Sequence, residues 1–376
     1  MTDAARTAGP RVAVLAEGRF ARATAKTAIG VLRYAPYPVV AVIDSTRAGT
    51  DAWEHLAPRG PATGSHERVG GDPLPVVATV GDAVEGGAEV VLIGTASAGG
   101  RIADADRPFL ADALRRGLAV WNGLHERVLD DPVLAEAARA GGGTVRELRE
   151  APRDLPIGGH RRPRAGATVV LTVGSDAAVG KMTVALEIVA ALRRSGLSAA
   201  FVATGQTGIA IAGAGIAVDA VVADFIAGAA ERMVCEAAET ADWVIVEGQG
   251  SLTHPGFSGV TLGLLHGSAP ELMVLCHDAG RAVMKGYDAE GLPLRALPEC
   301  VRIYEDAARW SRSPDATPAR VVAVALNTSG MDEREAARAV FDAGAETGLP
   351  AADPVREGAA GADRLASALL DARPSG

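Results

Sequence analysis

The stretch Gly174-Ser175-Asp176-Ala177-Ala178-Val179-Gly180-Lys181 is the part of this 376-residue chain best suited to chemistry. Glycines let successive backbone N–H groups turn inward around phosphate oxygens, and a helix N-terminus adds partial positive charge. Lys181 supplies a mobile ammonium for the outer phosphates of a nucleotide. The apolar run Thr168 to Val173 precedes the loop, and a helical pattern over Thr183 to Arg194 follows it. Strand, glycine loop, Gly-Lys and helix in this order predict an ATP site. Its expected residues are Gly174, Ser175, Asp176, Ala177, Ala178, Val179, Gly180, Lys181, Met182 and Thr183, with Lys181 also catalytic.

Other polar groups follow apolar strands. Gln206 comes after Ala199 to Thr204, Glu247 closes Trp243 to Glu247, and His277 closes Leu272 to His277. Parallel strands share a carboxyl edge, where ligands of open α/β sheets bind. Gln206, Glu247, His254 and His277 are therefore expected to converge near the terminal phosphate, with His254 as an acid/base group. His254, His266 and His277 are spaced by twelve and eleven, which matches no standard zinc pattern. Asp219 and Asp224 bracket an apolar run. In the first half, Asp44, Gly94 to Arg101 and Asn122 to His125 sit at strand ends, so His125 joins the pocket candidates. Lys26, Arg33 and Arg101 are the cations expected to hold substrate carboxylates.

Two α/β domains with parallel sheets must position these groups. In the first, strands over Arg11 to Ala16, Pro38 to Ile43, Glu89 to Gly94 and Leu118 to Trp121 alternate with helices such as Thr24 to Tyr34. In the second, further strands are expected over Val321 to Asn327, and helices over Val221 to Ala238 and Glu333 to Thr347. The expected boundaries are a Rossmann-like domain over 1–151, a linker over 152–166 and a P-loop domain over 167–376. Ala57 to Pro73 reads as a mobile loop, and His160-Arg161-Arg162-Pro163-Arg164 as a solvated part of the linker.

Hydrophobic residues make up 48% of the chain and aromatics only 4%, so the cores must be built from Val, Ala, Leu and Ile. A net charge of −9 gives no support for nucleic-acid binding. Cys235, Cys276 and Cys300 lack CxxC spacing and fit a reducing compartment. Met1 to Pro10 has no apolar core of a signal peptide, and no run reaches the ~20 apolar residues of a membrane helix. A soluble, cytoplasmic protein is expected.

The two loop glycines are separated by five residues, one more than in the common Walker pattern, with an aspartate third. This resembles dethiobiotin synthetase and its amidotransferase and cobyrinate-synthase relatives, whose loop reads G-[ST]-D-x-x-V-G-K-T. Val244-Ile245-Val246-Glu247-Gly248-Gln249-Gly250 likewise resembles their V-V-E-G-A-G-G segment, in which the glutamate binds magnesium. The resemblance implies ATP with Mg²⁺, Glu247 and Asp176 on the metal side, and Asn327 against the adenine. Met182 departs from the usual Ser or Thr, and a thioether is a poor ligand for a hard cation. Either Thr183 touches a phosphate instead, or carboxylates and water hold the metal. The second option gives Asp176, Glu247 and one of Asp219 or Asp224.

Over nearly its whole length the chain also resembles a bacterial family of formerly unknown function. That family pairs a Rossmann-like domain with a dethiobiotin-synthetase-like P-loop domain. The matching residues include Ala25-Lys26-Thr27-Ala28, Gly123-Leu124-His125, Gly174 to Thr183, Ala203 to Gly208, Glu247 to Ser251 and Gly263 to Gly267. Some members are described as D-glutamate N-acetyltransferases. The resemblances imply an ATP-dependent ligase that phosphorylates a small carboxylic acid and joins it to an amine of amino-acid type. The alternative is acetyl transfer from acetyl-CoA to an amino acid. A regulatory nucleotide switch is a third reading, though Ser175, Asp176 and Ala177 lack the extra early lysine of partitioning ATPases. A homodimer or higher homo-oligomer is expected from the relatives.

Overall fold

The computed structural model describes residues 9–20, 23–56, 73–96 and 98–373. Residues 57–72, which hold nearly all of the expected loop from Ala57 to Pro73, lie outside these, as do residues 1–8. The described residues form two compact units. Residues 9–56, 73–150 and 206–214 make the first, and residues 151–205 and 215–373 make the second.

The first unit contains β1 (Val12–Leu15), α1 (Lys26–Tyr34), β2 (Val39–Ile43), β3 (Val76–Val77), α2 (Val80–Glu85) and β4 (Val90–Ile93). It continues through α3 (Arg107–Arg115), β5 (Ala119–Asn122), α4 (Pro132–Gly141) and β6 (Thr144–Glu147). The strands pair in parallel in the order β3-β2-β1-β4-β5-β6, the Rossmann arrangement. Every residue of β1 and β4 is buried, because helices cover both faces of a parallel sheet. The expected strands here are all present. Beyond them the sheet has an edge strand, β6, whose sequence Thr-Val-Arg-Glu carries no apolar run.

Asp44, read from the sequence as a pocket residue, is instead fully buried and organises the loop after β1. Its carboxylate accepts from the amides of Gly18 and Phe20, each at 3.1 Å, and from the amide and hydroxyl of Thr46. Asn122 is buried as well, donating to Glu126 O and Glu147 Oε2 and accepting from the Leu124 amide.

The second unit contains β7 (Thr168–Gly174), α5 (Lys181–Arg194) and β8 (Ala199–Val202). After Gly205 the chain contributes α6 (Gln206–Ala212) to the first unit. There the Thr207 hydroxyl bonds Thr27 at 2.8 Å, and Ala210 O accepts from the Tyr37 hydroxyl at 2.7 Å. The second unit resumes with α7 (Ala223–Ala238), β9 (Trp243–Val246), α8 (Ser258–Ser268), β10 (Leu272–Asp278) and α9 (Leu297–Arg309). It ends with β11 (Arg320–Asn327), α10 (Glu333–Thr347), β12 (Ala351–Ala352) and α11 (Ala359–Asp371). The parallel order is β12-β11-β10-β7-β9-β8, with β7 buried along its whole length. One face is covered by a core drawn from α7, α8 and α9, the other by α5 and α11.

The linker is not a free tether. Pro156 O lies where a Cβ on Gly228 of α7 would sit, 1.9 Å away. Arg161 Nε donates to the buried Glu231 at 2.6 Å, and Arg164 Nε to Ala238 O at 2.6 Å. The charged side chains of this basic cluster are exposed, and two of its arginines also tie the segment to α7. Among the described residues, no helix is long and apolar enough to cross a membrane.

Candidate functional site

Because β7 lies between β9 and β10, the loop that leaves it is flanked by Glu247 on one side and His277 to Arg281 on the other. Ala178 (φ 55°) and Gly180 (φ 107°) take left-handed backbone conformations on either side of Val179. Alternating handedness of this kind turns amides into a common concavity, an anion nest. Among the described residues, the amides of Ala178, Val179 and Gly180 donate to nothing. A Cβ on Gly180 would meet nothing within 4 Å, so the cradle is open there. The helix dipole of α5 starts at the next residue. Donors without acceptors at a helix start fit a phosphate.

Lys181 is buried, and its Nζ donates to Asp176 O at 2.9 Å across the loop. Burial pulls its ammonium down to about 8, against the pull of Cys276, Asp176 and Glu247 nearby. Glu247, at the end of β9, is buried beside it and accepts from the amides of Thr204 and Gly205 at 3.0 and 3.2 Å. Burial pushes its carboxyl up to about 7, more than those amides and Gln249 hold it down. Two groups of opposite charge, both titrating near neutrality, therefore face the loop. Gln249 Nε2 also donates to the Thr204 hydroxyl.

The raised Glu247 value sets a pH dependence. The folded state disfavours its charged form, so the penalty is absent below about 4.5 and complete above about 7. Glu247→Gln keeps an acceptor for both amides and removes that penalty. The variant should gain on wild type as pH rises from 4.5 to 7, by on the order of 1–3 kcal/mol in urea unfolding. A stability difference that stays flat across this range would refute the assignment.

Asp176 is held differently from the expectation. It is fully buried, accepting from Arg281 Nη1 at 2.9 Å, the Lys285 amide at 2.8 Å and the Ala177 amide at 2.6 Å. Although burial opposes it, these partners hold its carboxyl below the usual range. Arg281 also donates to Ala177 O at 2.7 Å and Ala178 O at 3.4 Å. Asp176 and Arg281 thus tie the loop to the segment after β10. Asp219 and Asp224 are exposed. Among the described residues, no three His, Cys, Asp or Glu side chains gather to hold a metal. The expected set of Asp176, Glu247 and an aspartate of 219 or 224 is therefore not gathered into one cluster, since Asp219 and Asp224 are exposed and Asp176 is bound to Arg281.

His254 is buried with both ring nitrogens engaged. The Gly256 amide donates to Nδ1 at 3.1 Å, so Nε2 carries the proton and donates to Lys285 O at 3.0 Å. The ring stacks on Phe257 with centroids 4.4 Å apart. No lone pair or proton is left for substrate, and the acid/base role expected of His254 gives way to fixing the segment around Lys285. His277 Nδ1 lies 2.9 Å from the Ser175 hydroxyl, and burial holds its imidazole below the usual value. Asn327 Oδ1 accepts from the Ser329 amide at 3.1 Å, closing the turn after β11. His266, from the dismissed zinc pattern, bonds Ala307 O.

Two residues without a sequence signature complete the loop's support. One is Arg281, on Asp176 and Ala177 O. The Tyr304 hydroxyl, buried in α9, donates to Gly174 O at 2.8 Å and accepts from the Leu252 amide at 3.1 Å. An apolar helix position is where a tyrosine is expected to be core, and nothing in its spacing marks it as a clamp.

The remaining predicted residues belong to the first unit. Lys26 and Arg33 lie on α1, the first exposed and the second half-buried. Arg101 is exposed and 3.9 Å from Glu126. His125 is exposed and packs on Gly100. Gln206 opens α6 and packs beside Gly123. Within the unit, Arg101 lies in the loop after β4 and His125 in the loop after β5, and Lys26 and Arg33 lie near opposite ends of α1.

Fold and loop together define a two-unit α/β protein, one unit Rossmann-like and one carrying a P-loop. The chain belongs to the DUF1611 family. A domain of unknown function described as the DUF1611_C P-loop domain matches residues 156–365, and the DUF1611_N Rossmann-like domain matches residues 62–151. The chain is 38% identical over 297 residues to a D-glutamate N-acetyltransferase of Tritonibacter scottomollicae, covering 77% of this chain and 84% of that protein. It is 34% identical over 278 residues to a protein of the same name from a Pseudoalteromonas species, covering 74% and 81%. A crystal structure of a DUF1611 family protein from Anabaena variabilis is similar at a TM-score of 0.82 and 36% identity, covering 96% of this chain and all of that one.

Proposed function

We propose that this protein is an amino-acid N-acetyltransferase that acetylates the amino group of D-glutamate or a closely similar amino dicarboxylate. The observation that carries the reading is the likeness over about three quarters of the chain to two proteins of that name. This replaces the ligase as the main reading of the sequence. Acetyl-CoA presents phosphates as ATP does, and the open nest at Ala178 to Gly180 with Lys181 suits its diphosphate. A thioester is already activated, so the acceptor amine can displace the thiolate once it has lost its proton. Glu247, titrating near neutrality, is the buried group suited to take that proton.

A second reading, the ATP-dependent ligase, is favoured by one observation: a lysine buried at a Gly-Lys loop opposite a glutamate, which suits phosphoryl transfer. Here ATP would phosphorylate a carboxylate, and an amine would displace phosphate. Incubation with D-glutamate and either acetyl-CoA alone or acetate with ATP and Mg²⁺ separates the two. N-acetylglutamate and free CoA formed without ATP support acetyl transfer. Product that appears only with ATP, together with ADP and phosphate, supports the ligase and sinks the first reading.

A further inference from the structure

The first unit holds a buried carboxylate that its own fold does not satisfy. Asp106 is fully buried at the N-cap of α3, yet its side chain caps no amide of that helix. Oδ2 accepts from the Arg19 guanidinium and, at 3.5 Å, from the Thr95 hydroxyl. Oδ1 has no hydrogen-bond partner. Such a group is expected to find a donor, and exceptions call for an explanation such as a missing ligand. Burial pushes the Asp106 carboxyl up despite Arg19, so the site lacks positive charge or donors for a carboxylate.

Arg19 is complementary. Its Nη2 goes to Asp106 and its Nε to Glu17 O at 3.3 Å. Among the described residues Nη1 donates to nothing, and the side chain is 20% exposed. A guanidinium edge with spare donors suits a carboxylate.

The position of the pair matters as much. Arg19 follows β1 and Thr95 follows β4, the two adjacent strands at which the order β3-β2-β1-β4-β5-β6 reverses direction. Ligands of open α/β sheets bind in the crevice at this switch point. A dinucleotide does not suit it. Ala16-Glu17-Gly18-Arg19-Phe20 lacks the glycine fingerprint, and the acid at the end of β2, Asp44, is occupied by the Gly18, Phe20 and Thr46 contacts.

We propose that Arg19 and Asp106 form a binding site for an α-amino acid zwitterion, with the ligand ammonium on Asp106 Oδ1 and its carboxylate on Arg19. One missing donor and one spare guanidinium edge, side by side, match the two charges of that ligand class. A dicarboxylate without an amine would satisfy only Arg19. The zwitterion site rests on these contacts within the first unit and not on the function proposed above.

Calorimetric titration of the full chain with D-glutamate, without acetyl-CoA or ATP, tests this. The same titration is run with glutarate, which lacks the ammonium, and on Asp106→Asn and Arg19→Gln. Saturable D-glutamate binding, weakened at least tenfold by either variant and in glutarate, is the expected result. Arg19→Gln, at a partly exposed position, keeps the test informative if Asp106→Asn fails to fold; folding is checked by thermal unfolding. Equal affinity in a folded variant, or no binding to wild type, overturns the site. Acetylation with unchanged binding in both variants would leave the function standing and the site refuted. Binding lost in both variants, with no acetyl transfer by wild type, would leave the site standing and the function refuted.

Discussion

Lys181→Ala should weaken binding of ATP or CoA, whichever is the ligand, by on the order of 100-fold while leaving the fold intact. A charge-assisted hydrogen bond to phosphate contributes up to about 3 kcal/mol, and tenfold in affinity corresponds to 1.4 kcal/mol. The ammonium is buried and, among the described residues, donates only to the Asp176 carbonyl, so little native packing depends on its charge. Removing a desolvated cation should leave urea stability equal or higher below pH 8. A linked effect follows from the burial that pulls Lys181 down to about 8. Below that pH the loop meets its anion already charged. Above it the ammonium must first be reprotonated, so affinity should fall as pH rises from 8 towards 10. Calorimetric titration with ATP and CoA on both proteins checks both points. Affinity within threefold of wild type, or affinity flat with pH, would remove Lys181 from the phosphate site.

Gly248→Ala should destabilise the second unit by about 3–5 kcal/mol, enough to unfold much of a marginal protein. A Cβ there would stand 1.7 Å from Thr172 O and 3.0 Å from Lys181 Cδ. Thr172 belongs to β7, which is buried along its whole length, and its hydroxyl accepts from the Gly248 amide at 2.9 Å. The obstacle is backbone, which cannot rotate away, so the segment after β9 must move off the central strand. Gly180→Ala is the contrast. No atom lies within 4 Å of its Cβ, and only the strain of φ 107° is incurred, about 1 kcal/mol. Chemical unfolding of both variants should separate them by more than 2 kcal/mol; equal midpoints would refute the packing argument.

The phosphate loop was legible from sequence because everything that makes it is local. Strand, glycines, lysine and helix occupy one continuous stretch, and backbone conformation there follows from residue type. The expected strands also emerged, since buried parallel strands are continuous apolar runs. The strands missed, β3, β6 and β12, are two residues long or polar, and pairing alone defines them. His254 shows how the local argument fails. A histidine after a strand end reads as free to act, and only the folded chain shows Gly256 and Lys285 taking both nitrogens. Asp176 reads as a metal ligand until Arg281, 105 residues later, is found on it.

By itself the sequence determined two α/β units, a phosphate loop at Gly174 to Lys181 and Glu247 as its acidic neighbour, because periodicity and short motifs encode them directly. Tertiary structure alone decided which polar groups are spent on the fold and which are left for a ligand. Tyr304 clamps Gly174 across 130 residues, and Arg19 meets Asp106 across 87. Chain separation of that length leaves no trace in local spacing, and whether a buried carboxylate is satisfied depends on every neighbour it meets. The loop could be found by reading; the unpaired oxygen of Asp106 could be found only by folding.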